Sequence, residues 1–305
     1  MKILVTGSNG LLGQKLVYGL RAIKDVELIA TSKGKNRISE KSGYVYEEMD
    51  ITDKKAIGKI FEKHKPGCII NTAAMTNVDA CELNKDECLK LNVEAVKHIS
   101  IACKKYNTHF IHLSTDFVFD GENGPYKEDD VPNPQSFYAS SKLESEIVVQ
   151  SAGIDWCIIR TIIIYGVTDD EQRSNVVLWT KNSLELKKTI TVITDQFRSP
   201  TLAEDLAAAC ISAAIKRAKG IYHVSGKELM SIIEVANKVA DFFHLDKSFI
   251  KPVTSAELNQ PAKRPPKTGF ILDKAIRDLD YKPHTFEEGL KIVAGQLSLK
   301  SKERN

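Results

Sequence analysis

The sequence predicts a doubly wound α/β protein: a parallel sheet between two helical layers, with a smaller α/β lobe toward the C-terminus. Three observations carry that expectation. Short apolar runs recur along the chain and are continuous rather than alternating, the pattern of strands buried on both faces. Segments with 3.6-residue apolar spacing separate them, so strands and helices alternate. A glycine triplet stands between the first strand-like run and the first amphipathic segment, where sheets of this kind receive ligands.

The strand-like runs are "KILVT" (2–6), "VELIAT" (26–31), "YVYEEMD" (44–50), "CIINTA" (68–73), "FIHLS" (110–114), "WCIIRT" (156–161) and "IYHVS" (221–225). Between them, "LLGQKLVYGLRAI" (11–23) lines up Leu12, Leu16, Leu20 and Ile23, and "KKAIGKIFEKH" (54–64) lines up Ile57, Ile60 and Phe61. "DECLKLNVEAVKHISIACKK" (86–105) predicts one long helix, and "LAEDLAAACISAAIKRA" (202–218) another. A helix over "SIIEVANKVADFF" (231–243) and a proline-rich loop, "NQPAKRPPKTG" (259–269), belong to the smaller lobe. The expected division is 1–165 plus about 195–225 for a dinucleotide-binding Rossmann domain, and about 166–194 plus 226–305 for a substrate-binding lobe.

Bulk numbers narrow the function. The 305 residues are 42% hydrophobic and 27% charged, ordinary for a globular protein with a sizeable core. A formal charge of +3 gives no nucleic-acid footprint. No apolar run approaches a membrane span, and "MKILVTG" lacks the order of a signal peptide. The expectation is a cytoplasmic protein without nucleic-acid or membrane partners, and a homodimer is one assembly it allows. Six cysteines are scattered without a Cys-x-x-Cys and read as small buried thiols in a reducing compartment. No metal ligand is named. His109 and His112 read as structural residues of one strand, and "SLKSKERN" (298–305) as a frayed, solvated tail.

"VTGSNGLLGQKL" carries the dinucleotide loop, with Gly7, Asn9, Gly10, Leu11, Leu12 and Gly13 as cofactor candidates. Its glycines allow a tight turn, backbone approach to a pyrophosphate and close helix–strand packing, and the helix N-terminus favours the anion. After the second strand, "IATSKGKNR" has no carboxylate for a ribose 2′-hydroxyl. Thr31, Ser32 and Lys33, followed by Lys35 and Arg37, suit a 2′-phosphate, which favours NADPH over NADH. Asp50 and Ile51 are placed at the adenine, and the small residues of "NTAAM", with Ala73, Ala74 and Met75, beside the cofactor.

The chemistry rests on "HLSTDFVFDG" and "PQSFYASSKLESE". Thr115 stands at a strand's carboxyl edge, and Tyr138 and Lys142 share a helix face. A phenol is a poor acid or base at neutral pH, and a neighbouring ammonium lowers its pKa. Lys142 is also placed on the nicotinamide ribose. Loop, hydroxyl and Tyr-x-x-x-Lys, in that order, resemble the extended short-chain dehydrogenase/reductases. "STDFVFDG", "NTAAMTNVDACE", "YASSKLESE", "DQFRSPTLAEDLA" and "KRPPKTGFILD" resemble successive motifs of the dTDP-4-dehydrorhamnose reductase family. The resemblance implies NADPH-dependent reduction of the C4 ketone of a dTDP-linked deoxy-sugar, giving dTDP-L-rhamnose. It implies Thr115, Tyr138 and Lys142 as the catalytic trio, and Thr76, Val78, Asp116 and Arg264 near the sugar nucleotide.

The chain departs from the family pattern at Phe117 (Tyr), Arg198 (Gly), Ser140 and Ser141 (Gly and often Thr), and at "RTIIIYG", where Ile162 and Ile163 replace a serine and an aromatic. An aliphatic wall at the sugar is therefore expected. Two other readings stand beside the reductase: another extended-family reductase or epimerase acting on a different nucleotide sugar, and a non-catalytic NADP-binding regulatory subunit.

Overall fold

A computed structural model describes residues 1–170 and 174–303, with side chains to residue 300. Seven strands form the main sheet: β1 (Lys2–Thr6), β2 (Glu27–Ser32), β3 (Val45–Glu48), β4 (Cys68–Asn71), β5 (His109–Thr115), β6 (Trp156–Thr161) and β7 (Gly220–Val224). Their order is β7-β6-β5-β4-β1-β2-β3, and every pairing is parallel. The winding reverses between β1 and β4, and a crevice opens at the carboxyl ends of such a pair.

The continuous apolar runs are explained by the two layers. Ile3, Val5 and Ile70 point to one face, under Leu16 and Leu20 of α1 (Leu11–Arg21) and Leu206 and Ala213 of the helix Ala203–Ile215. Leu4, Ile29 and Ile69 point to the other, under Ile57 and Phe61 of α2 (Lys54–His64) and Val96 and Ile99 of α3 (Ala95–Tyr106). Successive residues of one strand thus bury opposite ways, and each face becomes a separate core.

The helix expected over 86–105 is not uniform. Lys85–Leu89 is α-helical, Lys90–Glu94 is a π turn, and α3 follows. Such a turn carries one extra residue and re-aims the side chains within it; here it turns Asn92 onto the Met75 backbone and the Ser141 hydroxyl.

Outside the sheet, Val177, Val235, Phe286 and Leu290 of three helices pack on Tyr165, Leu202 and Met230. A two-stranded parallel sheet, Ile190–Ile193 with Ile250–Val253, closes a neighbouring apolar cluster. The expected frayed tail is a correction. The last helix spans Phe286–Glu303, and Lys300 donates to the Thr168 and Asp169 carbonyls, so only 304–305 of that stretch lie outside the described residues. Buried backbone partners and an amphipathic periodicity outweigh the local polarity of "SLKSKERN".

Candidate active site

The glycine loop turns at Gly7, where φ is +66° and the Gly10 N–H donates to the Gly7 carbonyl at 2.8 Å. A Cβ on Gly7 would meet Thr72 Oγ1 at 2.7 Å, and one on Gly13 would meet the Gly7 carbonyl at 2.2 Å. The cradle therefore admits only backbone. No side chain caps α1 at Gly10, so its first-turn N–H groups are left for an anion.

A cavity of about 380 Å³ runs from Gly10–Gly13 past Ala73 and Ala74 to Thr76, Val78, Thr115, Asp116, Tyr138 and Lys142. A second, of about 600 Å³, is lined by Gly7, Ser32, Lys33, Asp50 and Ile51. Both are bordered by Gly10, Thr72, Ala73 and Ala74, so they form one trough across the switch point. Most residues expected at the site are brought together along it.

Four are not. Thr31 is fully buried, its hydroxyl donating to the Val5 carbonyl. Asn9 holds the following loop instead, donating to the Lys35 carbonyl and accepting from the Arg37 N–H. Met75 is clamped by its backbone, donating to Asn92 Oδ1 at 2.8 Å and accepting from Asn92 Nδ2 at 3.0 Å. Arg264 does not line the trough. It grips Asp79 through two bonds of 3.1 and 2.7 Å, beside Val78. The aliphatic wall is also corrected. Ile163 and Ile164 line the cavity, whereas Ile162, just past the end of β6, faces the core with no exposed surface.

Ser136 caps the helix α4 (Phe137–Ser151) by accepting from the Ala139 N–H, which sets Tyr138 in the first turn and Lys142 one turn on. Tyr138 is 8% exposed and Lys142 2%. Phe117 meets the Tyr138 ring edge-on at 6.1 Å. Ser114 Oγ, buried at the wall, has no hydrogen-bond partner among the described residues.

Beneath the lysine lies a chain of hydrogen bonds through His112, a residue that the sequence presents as structural. Thr6 donates to Asn71 Oδ1, Asn71 Nδ2 faces His112 Nδ1 at 3.3 Å, and His112 Nε2 lies 2.9 Å from Ser145 Oγ. The Ser145 hydroxyl proton goes to the Lys142 carbonyl at 2.6 Å, so His112 must donate from Nε2 and accept at Nδ1. Lys142 Nζ donates to the Leu113 carbonyl at 2.8 Å and lies 3.2 Å from His112 Nε2. Burial, with Lys142 beside it, holds the imidazole neutral well below its usual range.

Electrostatics differ from the simple phenol–ammonium picture. Burial pushes the Tyr138 hydroxyl far above its usual pKa, against a lowering by the Thr115 hydroxyl. The ammonium is not the dominant influence, because both groups are dry. Burial lowers Lys142 to about 8, opposed by the charge of Glu146. Glu146, one turn further along α4, forms a buried bidentate pair with Arg160 at 3.0 and 2.7 Å.

The fold and the trough define an extended short-chain dehydrogenase/reductase. The family model for the RmlD substrate binding domain matches residues 1–298, and the chain belongs to that family. It is 31% identical to the methionine adenosyltransferase 2 subunit beta of Bos taurus over 260 residues, 84% of this chain and 76% of that one. The structure of a dTDP-4-dehydrorhamnose reductase from Clostridium acetobutylicum superposes with a TM-score of 0.85 at 30% identity, covering 98% of this chain and all of that one. A Bacillus anthracis dTDP-4-dehydrorhamnose reductase in complex with NADP gives 0.81 at 25% identity, covering 97% and 99%.

Proposed function

We propose that the protein is an NADPH-dependent reductase of the C4 ketone of a nucleotide-linked deoxy-sugar, with dTDP-4-dehydrorhamnose as the substrate and dTDP-L-rhamnose as the product. The observation that carries this reading is the convergence of Thr115, Tyr138 and Lys142 on one cavity joined to a glycine cradle that admits only backbone. The likeness to reductases of that name supports it.

The uncapped start of α1 and the Gly7–Gly13 cradle fit a dinucleotide pyrophosphate. A bound nicotinamide supplies hydride to the carbonyl carbon. Tyr138, kept protonated by burial, gives its proton to the oxygen as negative charge develops there. Thr115 offers a hydroxyl to the same oxygen. Among the described residues Lys142 has one acceptor, the Leu113 carbonyl, and it presents its remaining N–H groups to the trough for ribose hydroxyls. Ser32 and Lys33, at the far end, favour a 2′-phosphate and hence NADPH. The segments near 166–194 and 226–305 are assigned to the sugar side, where Val78, Phe117, Ile163 and Ile164 give an apolar wall suited to a deoxygenated face. Six free, buried cysteines support a reducing cytoplasm.

The test is loss of 340 nm absorbance on mixing NADPH, protein and freshly made dTDP-4-keto-6-deoxy-L-hexose. Oxidation that vanishes in Tyr138→Phe while NADPH binding persists supports the reductase. Bound NADPH without oxidation favours the second reading, a binding subunit, to which the likeness to the bovine beta subunit lends weight.

A further inference from the structure

We propose that Asp50 and Lys33 set the cofactor preference as a competing pair: Asp50 holds the Lys33 ammonium, and a 2′-phosphate must draw it off that carboxylate to bind. Discrimination between NADPH and NADH is then the difference between two anions on one lysine, smaller than the cation alone would give. The inference rests on the reading of the trough as a dinucleotide site.

The cavity of about 600 Å³ has Ser32 and Lys33 at the end of β2 on one side, and Asp50 and Ile51 just past β3 on the other. The two strand ends are in fixed register: Ser32 lies opposite Glu48, and the Met49 N–H donates to the Ser32 carbonyl at 3.0 Å. A dinucleotide with its pyrophosphate at the Gly7–Gly13 cradle places its adenosine between these walls. Lys33 Nζ lies 3.0 Å from Asp50 Oδ2, so an ion pair joins the walls where the adenosine ribose belongs.

The two partners are unequal. Asp50 is fixed by its own turn, where Oδ1 accepts from the Thr52 N–H at 2.9 Å and the Thr52 hydroxyl at 2.8 Å. The backbone beside Lys33 is fixed as well: the Tyr46 hydroxyl donates to the Gly34 carbonyl, and the Gly34 N–H donates to Glu48 Oε1 at 3.1 Å. The Lys33 side chain is 81% exposed on a flexible stem, so it is the member that moves. An exposed pair of this kind is weak, and a phosphate with charge-assisted hydrogen bonds can take the lysine from it. NADH brings only a 2′-hydroxyl and leaves Lys33 on Asp50. Asp86, Glu87 and Lys90 also line the cavity, and the charge of Glu87 acts on Lys33, so the phosphate arrives among carboxylates and depends on this one lysine turning to it.

The experiment measures the Kd of NADPH and of NADH, by nicotinamide fluorescence at neutral pH and low salt, for wild type, Asp50→Asn, Lys33→Met and the double variant. Asparagine keeps an acceptor for Thr52 and for an adenine amino group, so only the charge is lost. Asp50→Asn should tighten NADPH about fivefold and leave NADH within about twofold of wild type. Lys33→Met should weaken NADPH about tenfold and leave NADH unchanged. In the double variant the gain from Asp50→Asn should shrink, because no lysine is left to release. Unchanged NADPH affinity in Asp50→Asn overturns the proposal. An equal gain with and without Lys33 overturns it too, since Asp50 would then act by repulsion alone. Should Asp50→Asn fail to fold, Asp50→Ser takes its place with the same expected outcomes. Wild type that binds neither dinucleotide overturns the dinucleotide reading and the proposal together, whereas binding without the Asp50 effect overturns the proposal alone. No ketone enters the assay, so failure of the reductase reading is scored separately.

Discussion

Nζ of Lys142 lies 3.2 Å from Nε2 of His112, and the imidazole's own hydrogen-bond chain requires that nitrogen to be a donor. An ammonium facing a donor in a dry site gains little from it, consistent with the lowering of Lys142 to about 8 by burial. Lys142 is therefore poised to lose its charge just above neutrality, while Tyr138 stays protonated.

The reduction rate should follow that charge. We expect kcat/KM for the ketone to be level up to about pH 8 and to fall above it as Lys142 deprotonates. Initial rates from pH 6 to 10 test this, and a plateau reaching pH 9.5 would contradict it.

Stability should respond in the opposite sense. Lys142 has a folded pKa of about 8, below its ordinary 10.5, so the unfolded chain holds the proton more tightly. The resulting penalty on the fold is full below pH 8 and disappears as pH rises toward 10.5. Lys142→Met should therefore be more stable than wild type at pH 7, by on the order of 3 kcal/mol, and should lose that advantage by about pH 10.5. Urea unfolding at the two pH values measures the difference.

The cradle should tolerate no added carbon. In Gly13→Ala the new Cβ meets the Gly7 carbonyl at 2.2 Å, so α1 must move off the loop. A loss of about 1–3 kcal/mol in stability is expected, together with loss of dinucleotide binding by isothermal calorimetry. Retained affinity would show that the pyrophosphate sits elsewhere.

Glu146 and Arg160 are a buried pair, 0% and 2% exposed at the side chain. Glu146→Gln leaves a guanidinium without its counter-charge and should destabilise the protein by roughly 3–5 kcal/mol. Replacing both by leucine should recover most of that in denaturant unfolding.

Asn92 makes both backbone bonds to Met75 and a third, at 3.1 Å, to Ser141 Oγ on α4. Asn92→Ala should cost about 1–3 kcal/mol by leaving the Met75 groups unpaired. It should also lower kcat, because the loop at Ala73–Thr76 and the Tyr138 helix lose their common tie. An unchanged kcat would confine Asn92 to stability.

What could be read from the sequence was local. Continuous apolar runs specified the strands, since burial on both faces leaves no other pattern, and the positions of Gly7, Gly13, Tyr138 and Lys142 followed from motif spacing. What escaped depended on which way a side chain turns or on partners far along the chain. Thr31 looked like a cofactor hydroxyl, but its place in β2 points it at Val5. Ile162 and Ile163 looked alike, and the chain leaving β6 turns one into the core and the other to the cavity. Arg264 was expected near the sugar nucleotide, and only the fold brings Asp79 to it. His112 carried no signal beyond its strand, because its contact with Lys142 arises from packing between β5 and α4. The π turn that aims Asn92 was equally hidden, since an extra residue in a helix leaves the apolar periodicity nearly intact.

The pairing of Asp79 with Arg264 joins positions 185 apart in the chain. A ribosome delivers this protein N-terminus first, so every strand around the glycine cradle except β7 has emerged some hundred residues before Arg264 does. The Val78 end of the trough is thus completed last, after its other walls, and a nascent or prematurely terminated chain ending before residue 264 lacks the Asp79–Arg264 pair beside it. Completion of synthesis is written into the geometry of the site.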